Sequence, residues 1–188
     1  VQGDVSDPEQ AAEVVDNVLE KFCQLDTLIC NAGIDWVGLF GDMTSEQWRR
    51  VFAVNVDGMF YCIQRALPHM ICRKSGKIIT VSSMWGVTGG SCEVAYSASK
   101  AAVIGLTRAL AKEVGPSGIT VNCVAPGVID TEMNQNLGPQ DLADLADETP
   151  LCRIGRPEEV AKAMLFLASE GADFITGQVL QPNGGIVI

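Results

Sequence analysis

The chain has 188 residues, 47% hydrophobic with 19 Gly, which suits one α/β domain with a buried sheet and excludes a disordered chain. Lys and Arg number 13 against 23 Asp and Glu, and the net charge of −10 argues against nucleic acid or an anionic membrane as partner. No apolar run approaches the ~18 residues of a membrane span. The cysteines number 7, none in a C-x-x-C pair, and His69 is the sole histidine; they read as free thiols of a cytoplasmic protein without a metal site.

In chain order, Asp7 caps a helix that has Pro8 in its first turn and an apolar stripe of Ala12, Val15, Val18, Leu19 and Phe22. Residues 25–30 read as a strand and 34–42 as a loop. Thr44-x-x-Gln47 is a capping box opening a long helix to about residue 70. A strand over 77–82, a loop over 83–93 and an Ala- and Leu-rich helix over 94–114 follow. Pro116 and Gly118 break the chain before a strand that ends at 124. The stretch 132–152 is polar, acidic and partly helical. A helix over 157–169 has Pro at its first position, and 179–181 is a last strand. Alternation of strand and helix implies a parallel sheet.

Tyr96 and Lys100 are four residues apart on the helix over 94–114, hence on one face. A cation about 5 Å from the phenol, at an effective dielectric of about 20, favours the phenolate by roughly 3 kcal/mol, or about two pKa units. The spacing therefore predicts an acid/base group brought nearer neutral pH, as carbonyl reduction or alcohol oxidation requires. Ser83 lies 13 residues upstream of Tyr96. Alone, Tyr-x-x-x-Lys is a weak signal.

The surroundings strengthen it. Asn31-Ala32-Gly33 ends an apolar strand. Asn55 stands in Val54-Asn55-Val56, Ser82-Ser83 ends the next strand, and Pro126-Gly127-Val128-Ile129-Asp130-Thr131 follows the one after. Asn183-Gly184-Gly185 lies near the C-terminus. In order and spacing, over essentially the whole chain, this resembles the short-chain dehydrogenase/reductase family, and within it the 3-oxoacyl-carrier-protein reductases. The resemblance implies a doubly wound, Rossmann-like parallel sheet in three layers, with NADP preferred over NAD as cofactor. It implies that Asn55, Ser83, Tyr96 and Lys100 are catalytic. Asp4, Val5, Asn31, Ala32, Gly33, Tyr96, Lys100, Pro126, Gly127, Ile129 and Thr131 would contact cofactor, and Ser83, Trp85 and Tyr96 substrate.

Plainer readings stand beside these. Ser83 is also a strand-end turn residue, with Ser82 the neighbouring candidate. Asn55, an ordinary polar helix residue on the plainer reading, stands in an apolar stretch and needs hydrogen-bond partners if buried; its implied role is to hold a water feeding protons to Lys100. Trp85 suits the core as well as a pocket wall. Asp141, Asp144, Asp147 and Glu148 make a solvated helix face in a segment that the family uses as a substrate lid. Lys74 occupies a position that is basic in carrier-protein reductases, whereas Ser117 stands where those often carry a second base.

No G-x-x-x-G-x-G follows a strand anywhere in the sequence. Residues 1–5 match the family's third strand, with Asp4-Val5 as the adenine contact. The expectation is a single domain over 1–188, N-terminally incomplete and lacking the first strand–helix–strand unit. That would leave a gap of about 14 Å in the sheet, at ~4.8 Å per strand. The implied activity is interconversion of a ketone, β-ketoacyl or similar, and a secondary alcohol, with the 188 residues alone inactive. The alternative is a non-catalytic binding or oligomer-building protein of the same fold. A homotetramer is implied, through the helices over 45–70 and 94–114, the latter bearing Ala101, Ile104, Gly105, Leu106 and Ala109.

Overall fold

The computed structural model describes residues 1–134 and 137–188. Helix α1 spans Pro8–Phe22, and the Asp7 carboxylate accepts hydrogen bonds from Glu9 N and Gln10 N as its cap. Strand β1 is Thr27–Cys30. Helix α2, Ser45–Phe52, opens with the capping box of Thr44 and Gln47. One turn of π-helix, Ala53–Asp57, then leads into α3, Gly58–Arg73. Strand β2 is Gly76–Val81, α4 is Met84–Thr88, α5 is Val94–Val114 and β3 is Ile119–Val124. Helices α6, Pro139–Glu148, and α7, Pro157–Ala168, precede β4, Val179–Leu180.

Among the described residues the four strands form one parallel sheet in the order β1-β2-β3-β4, with Leu28 beside Ile78 and Ile78 beside Val121. Alternate residues of a strand face opposite ways. Ile78, Val121 and Cys123 therefore join Met59, Ile63 and Met70 of α3 and Val103 and Ile104 of α5 on one face. Ile79 and Val124 meet Val160 and Leu167 of α7 on the other. The three layers match the fold implied by the sequence. Helix α1 packs on α3 rather than on the sheet, burying Ala11 and Val15.

Three sequence expectations differ from the structure. Residues 1–4 form no strand, because no described strand offers them a ladder. Instead Asp4 closes a turn into α1: its carboxylate accepts from Ser6 N at 2.9 Å and Ser6 Oγ at 2.7 Å, and pairs with Arg50 at 3.2 Å. Leu28 is half-buried rather than fully buried, since β1 is the outermost strand described. The expected loop after β2 contains the short helix α4, capped by the Ser83 hydroxyl accepting from Trp85 N at 3.2 Å.

Among the described residues, four that are not glycine have left-handed backbone: Lys74 and the three cysteines Cys23, Cys92 and Cys152, with φ of 54°, 54°, 62° and 51° in chain order Cys23, Lys74, Cys92, Cys152. Cys23 ends α1 by donating its N–H to Leu19 O at 2.8 Å.

Candidate active site

Parallel strands end their ladders on one edge of the sheet, and the segments leaving that edge define a cleft. Here it is ≈ 740 Å³ and is lined by residues from three strand ends. Asn31, Ala32 and Gly33 come from β1, Val81, Ser82 and Ser83 from β2, and Pro126, Gly127, Ile129 and Thr131 from β3. Tyr96 and Lys100 of α5 reach into it, and Met164 of α7 closes one side.

Lys100 is 4% exposed, and its Nζ donates to Val81 O at 3.0 Å. Gly33 admits it: a Cβ there would stand 3.1 Å from Nζ. Ser82 is committed elsewhere, donating to Lys100 O at 2.7 Å. Ser83 Oγ accepts from Trp85 N, but its O–H is left to donate, and it lowers the Tyr96 phenol. Gly127 lies against the backbone of Asn183, whose Nδ2 donates to Val187 O at 2.7 Å. The Asn183-Gly184-Gly185 segment thus backs the loop after β3.

Asn55 does not line the cleft. It sits on the π-turn, 1% exposed, one layer behind Gly33. Its Oδ1 accepts from Ile34 N at 2.8 Å, while Nδ2 donates to Ile34 O at 2.9 Å and to Ser99 Oγ at 3.0 Å. An amide is the one side chain that can bond both the N–H and the C=O of a single residue in this way. Asn55 thereby pins the segment leaving β1 to the helix that carries Tyr96 and Lys100.

Asp4, Val5 and Trp85 are also outside the cleft lining. Val5 packs on Gly58, where a Cβ would come within 2.8 Å of it. Trp85 is half-buried against Gly90.

The electrostatics overturn one sequence expectation. The Tyr96 phenol is pushed up to about 12, not down, chiefly by burial; Ser83 lowers it, and the carboxylates of Glu93 and Asp35 raise it further. The ammonium of Lys100 sits 5.5 Å from the centre of the Tyr96 ring, and its proton is held by Val81 O. Burial also brings Lys100 down to about 8. Glu93 itself is raised, first by burial and then by Asp35, with Trp85 opposing. Glu93, Asp35 and Ser99 escaped the sequence reading. Glu93 lies three residues before Tyr96, but an acidic residue at a helix start reads as an ordinary partner of the helix dipole.

Residues 1–187 match the family profile described as enoyl-(acyl carrier protein) reductase. The chain is 43% identical, over 98% of its length and 75% of the other's, to the 3-oxoacyl-[acyl-carrier-protein] reductase FabG of Thermotoga maritima. It is 40% identical, over 98% of its length and 75% of the other's, to the uncharacterized oxidoreductase YmfI of Bacillus subtilis. Among solved structures, ElxO with NADP bound superposes with a TM-score of 0.93 at 36% identity, covering 99% of this chain and 77% of that one. A tyrosine-to-phenylalanine variant of ElxO with NADPH bound has a TM-score of 0.93 at 35% identity, with the same coverage.

Proposed function

The chain belongs to the short-chain dehydrogenase/reductase family, and from that premise we propose that it is an NADPH-dependent ketoreductase acting on a β-ketoacyl or similar carbonyl compound, with Tyr96 as general acid. The observation that carries the proposal is the juxtaposition of Ser83, Tyr96 and Lys100 in one cleft at the strand ends. When bound, the nicotinamide cofactor supplies the hydride that makes the carbonyl an alcohol. Asn31, Ala32 and Gly33 would hold it with Lys100, Pro126, Gly127, Ile129 and Thr131, and Asp4 and Val5 would meet its adenine end. The fit is good at the ribose and nicotinamide end. There the absence of a Cβ on Gly33 lets the Lys100 ammonium lie against the segment leaving β1, within reach of a ribose bound in the cleft.

Tyr96, with its phenol pushed up to about 12, is protonated at neutral pH. A protonated phenol is the form that donates the proton in carbonyl reduction. Ser83 is placed to hydrogen-bond the same substrate oxygen, where negative charge develops. Two O–H groups on one oxygen favour a carbonyl substrate over a carbon–carbon double bond. Once Tyr96 has given up its proton, Lys100, still largely ammonium below its value of about 8, stabilises the phenolate. Asn55 keeps the segment bearing Asn31 to Ile34 in register with α5. The relatives' names suggest a carrier-protein-bound substrate, and the exposed Ala101, Gly105 and Ala109 of α5 suit assembly into a tetramer.

The test is NADPH oxidation by the intact gene product with a β-ketoacyl thioester. Tyr96→Phe should lower turnover by about 10²–10⁴-fold, the usual worth of a general acid, while NADPH affinity stays within about twofold by calorimetry. Turnover near the parent rate would remove Tyr96 from the mechanism.

A further inference from the structure

Two loops outside the cleft lining carry carboxylates, Glu93 and Asp35, that raise the Tyr96 phenol beyond what burial does. One follows β1 and carries Asp35 and Trp36. The other runs from α4 to α5, between Trp85 and Glu93. They are tied together by Gly38 N donating to Cys92 O at 2.8 Å. The first is anchored by Asn55 through Ile34, the second by Gly90 N donating to Ser97 Oγ at 2.9 Å.

Each loop thus brings one indole and one carboxylate. Each indole folds over a glycine: a Cβ at Gly38 would lie 2.7 Å from the Trp36 ring, and one at Gly90 2.9 Å from that of Trp85. Both tryptophans and both acids are half-buried. Around them Val37 and Leu39 are 65% exposed and Val87 is 44% exposed, so the rim is apolar as well as acidic. Among the described residues neither Asp35 nor Glu93 has an ion-pair partner. Their charge reaches the Tyr96 oxygen, where the substrate carbonyl would sit.

We infer that Asp35, Trp36, Trp85 and Glu93 select the substrate by charge, favouring ketones with an apolar body and a cationic, ammonium-type group near the carbonyl over anionic ones. This rests on the ketoreductase reading above. An indole face attracts a cation through its quadrupole, and an unpaired carboxylate beside it adds a Coulomb attraction that becomes a repulsion for an anion. At separations of about 7 Å in a half-solvated site, one such carboxylate is worth roughly tenfold between opposite charges.

The experiment compares three ketones of equal chain length in the intact gene product with NADPH. One ends in trimethylammonium, one in the isosteric tert-butyl group and one in carboxylate. The expected kcat/KM ratio of cation to anion is at least about tenfold, shrinking with added salt. It should fall toward one in Glu93→Gln and in Asp35→Asn, and Glu93→Asp should restore part of it. A ratio near one in the parent enzyme, or one unchanged in both variants, overturns the inference while leaving the ketoreductase reading intact. If no ketone is reduced, that reading fails, and tryptophan fluorescence still decides the inference. Quenching by the trimethylammonium ketone that is lost in Asp35→Asn upholds it, and equal responses to all three ketones overturn it. The two variants lie on separate loops, and far-UV circular dichroism identifies either one that misfolds.

Discussion

Replacing Asn55 by alanine tests the pin that joins the β1 segment to α5. The side chain is 1% exposed and makes three hydrogen bonds, two to the backbone of Ile34 and one to Ser99. Alanine removes all three and leaves the Ile34 N–H and C=O without that partner in a partly buried place. At about 0.5–1.5 kcal/mol net per bond, the loss is about 2–4 kcal/mol, with a further contribution from the small cavity. For a chain of this size that lowers Tm by about 5–15 °C. Asn55→Asp is the contrast. A carboxylate still accepts from Ile34 N but cannot donate to Ile34 O or Ser99, and it buries a charge, so it should be at least as damaging at pH 7. Urea unfolding followed by circular dichroism gives the stabilities, with an unchanged m-value as the check on two-state behaviour. Hydrogen exchange at the Ile34 amide isolates the pin itself. If Asn55→Ala lay within about 0.5 kcal/mol of the parent, below the net worth of even a single such bond, with the Ile34 amide still protected, the pin would be wrong.

Lys100 should add stability as pH rises from about 8 to 10, read as the difference between the parent and Lys100→Met, because the Cys30, Cys62 and Cys123 thiols, raised by burial above their ordinary 9.0, act in the opposite sense above about 9. Lys100 titrates near 8 when folded against an ordinary 10.5, so over that window this group binds more protons in the unfolded chain. The gain is on the order of 3 kcal/mol, is absent in Lys100→Met, and is read from urea midpoints at a series of pH values. Tyr96 acts in the opposite sense: its folded value of about 12 exceeds the ordinary 10.0, so stability falls as pH climbs past 10. Gly86→Ala places a Cβ 2.4 Å from Ser82 Oγ and 2.8 Å from Lys100 O, and should cost at least about 2 kcal/mol in the same assay. Assembly is checked by light scattering. A Cβ at Gly105 would meet nothing within 4 Å, so Gly105→Trp should leave the monomer fold intact but break a tetramer built on α5; a monomeric parent protein at micromolar concentration would refute that arrangement.

The elements of the fold were legible because each carried a local signal. Asp7 before Pro8, Thr44 before Gln47 and the uninterrupted run from Val94 to Val114 all marked boundaries that the structure keeps. The cleft residues were legible for another reason: strand ends in a parallel sheet share an edge, so Asn31, Ser83 and Gly127 had to meet. Long-range effects were not legible. The π-turn at Asn55 has no composition of its own. The raised phenol of Tyr96 reflects first a depth of burial that the four-residue spacing to Lys100 does not encode, and then charges that include Asp35, 61 residues away along the chain. The expected strand over 1–5 failed because a strand is defined by its neighbour and not by its own residues.

The left-handed cysteines have a practical consequence for labelling. Cys23, Cys92 and Cys152 each hold a backbone conformation that costs a β-carbon-bearing residue about 1–2 kcal/mol and glycine almost nothing. Glycine at each would relieve that strain, offset in part by the greater freedom of the unfolded chain. Three thiols can therefore be removed at little net cost. The exposed cysteines are Cys23, Cys72 and Cys152, so the triple replacement leaves Cys72, at the end of α3, as the single exposed thiol, beside the half-buried Cys30 and Cys62 and the buried Cys123. A maleimide dye or nitroxide placed there would report on one defined point of the molecule, and in a symmetric assembly on the distances between copies of it.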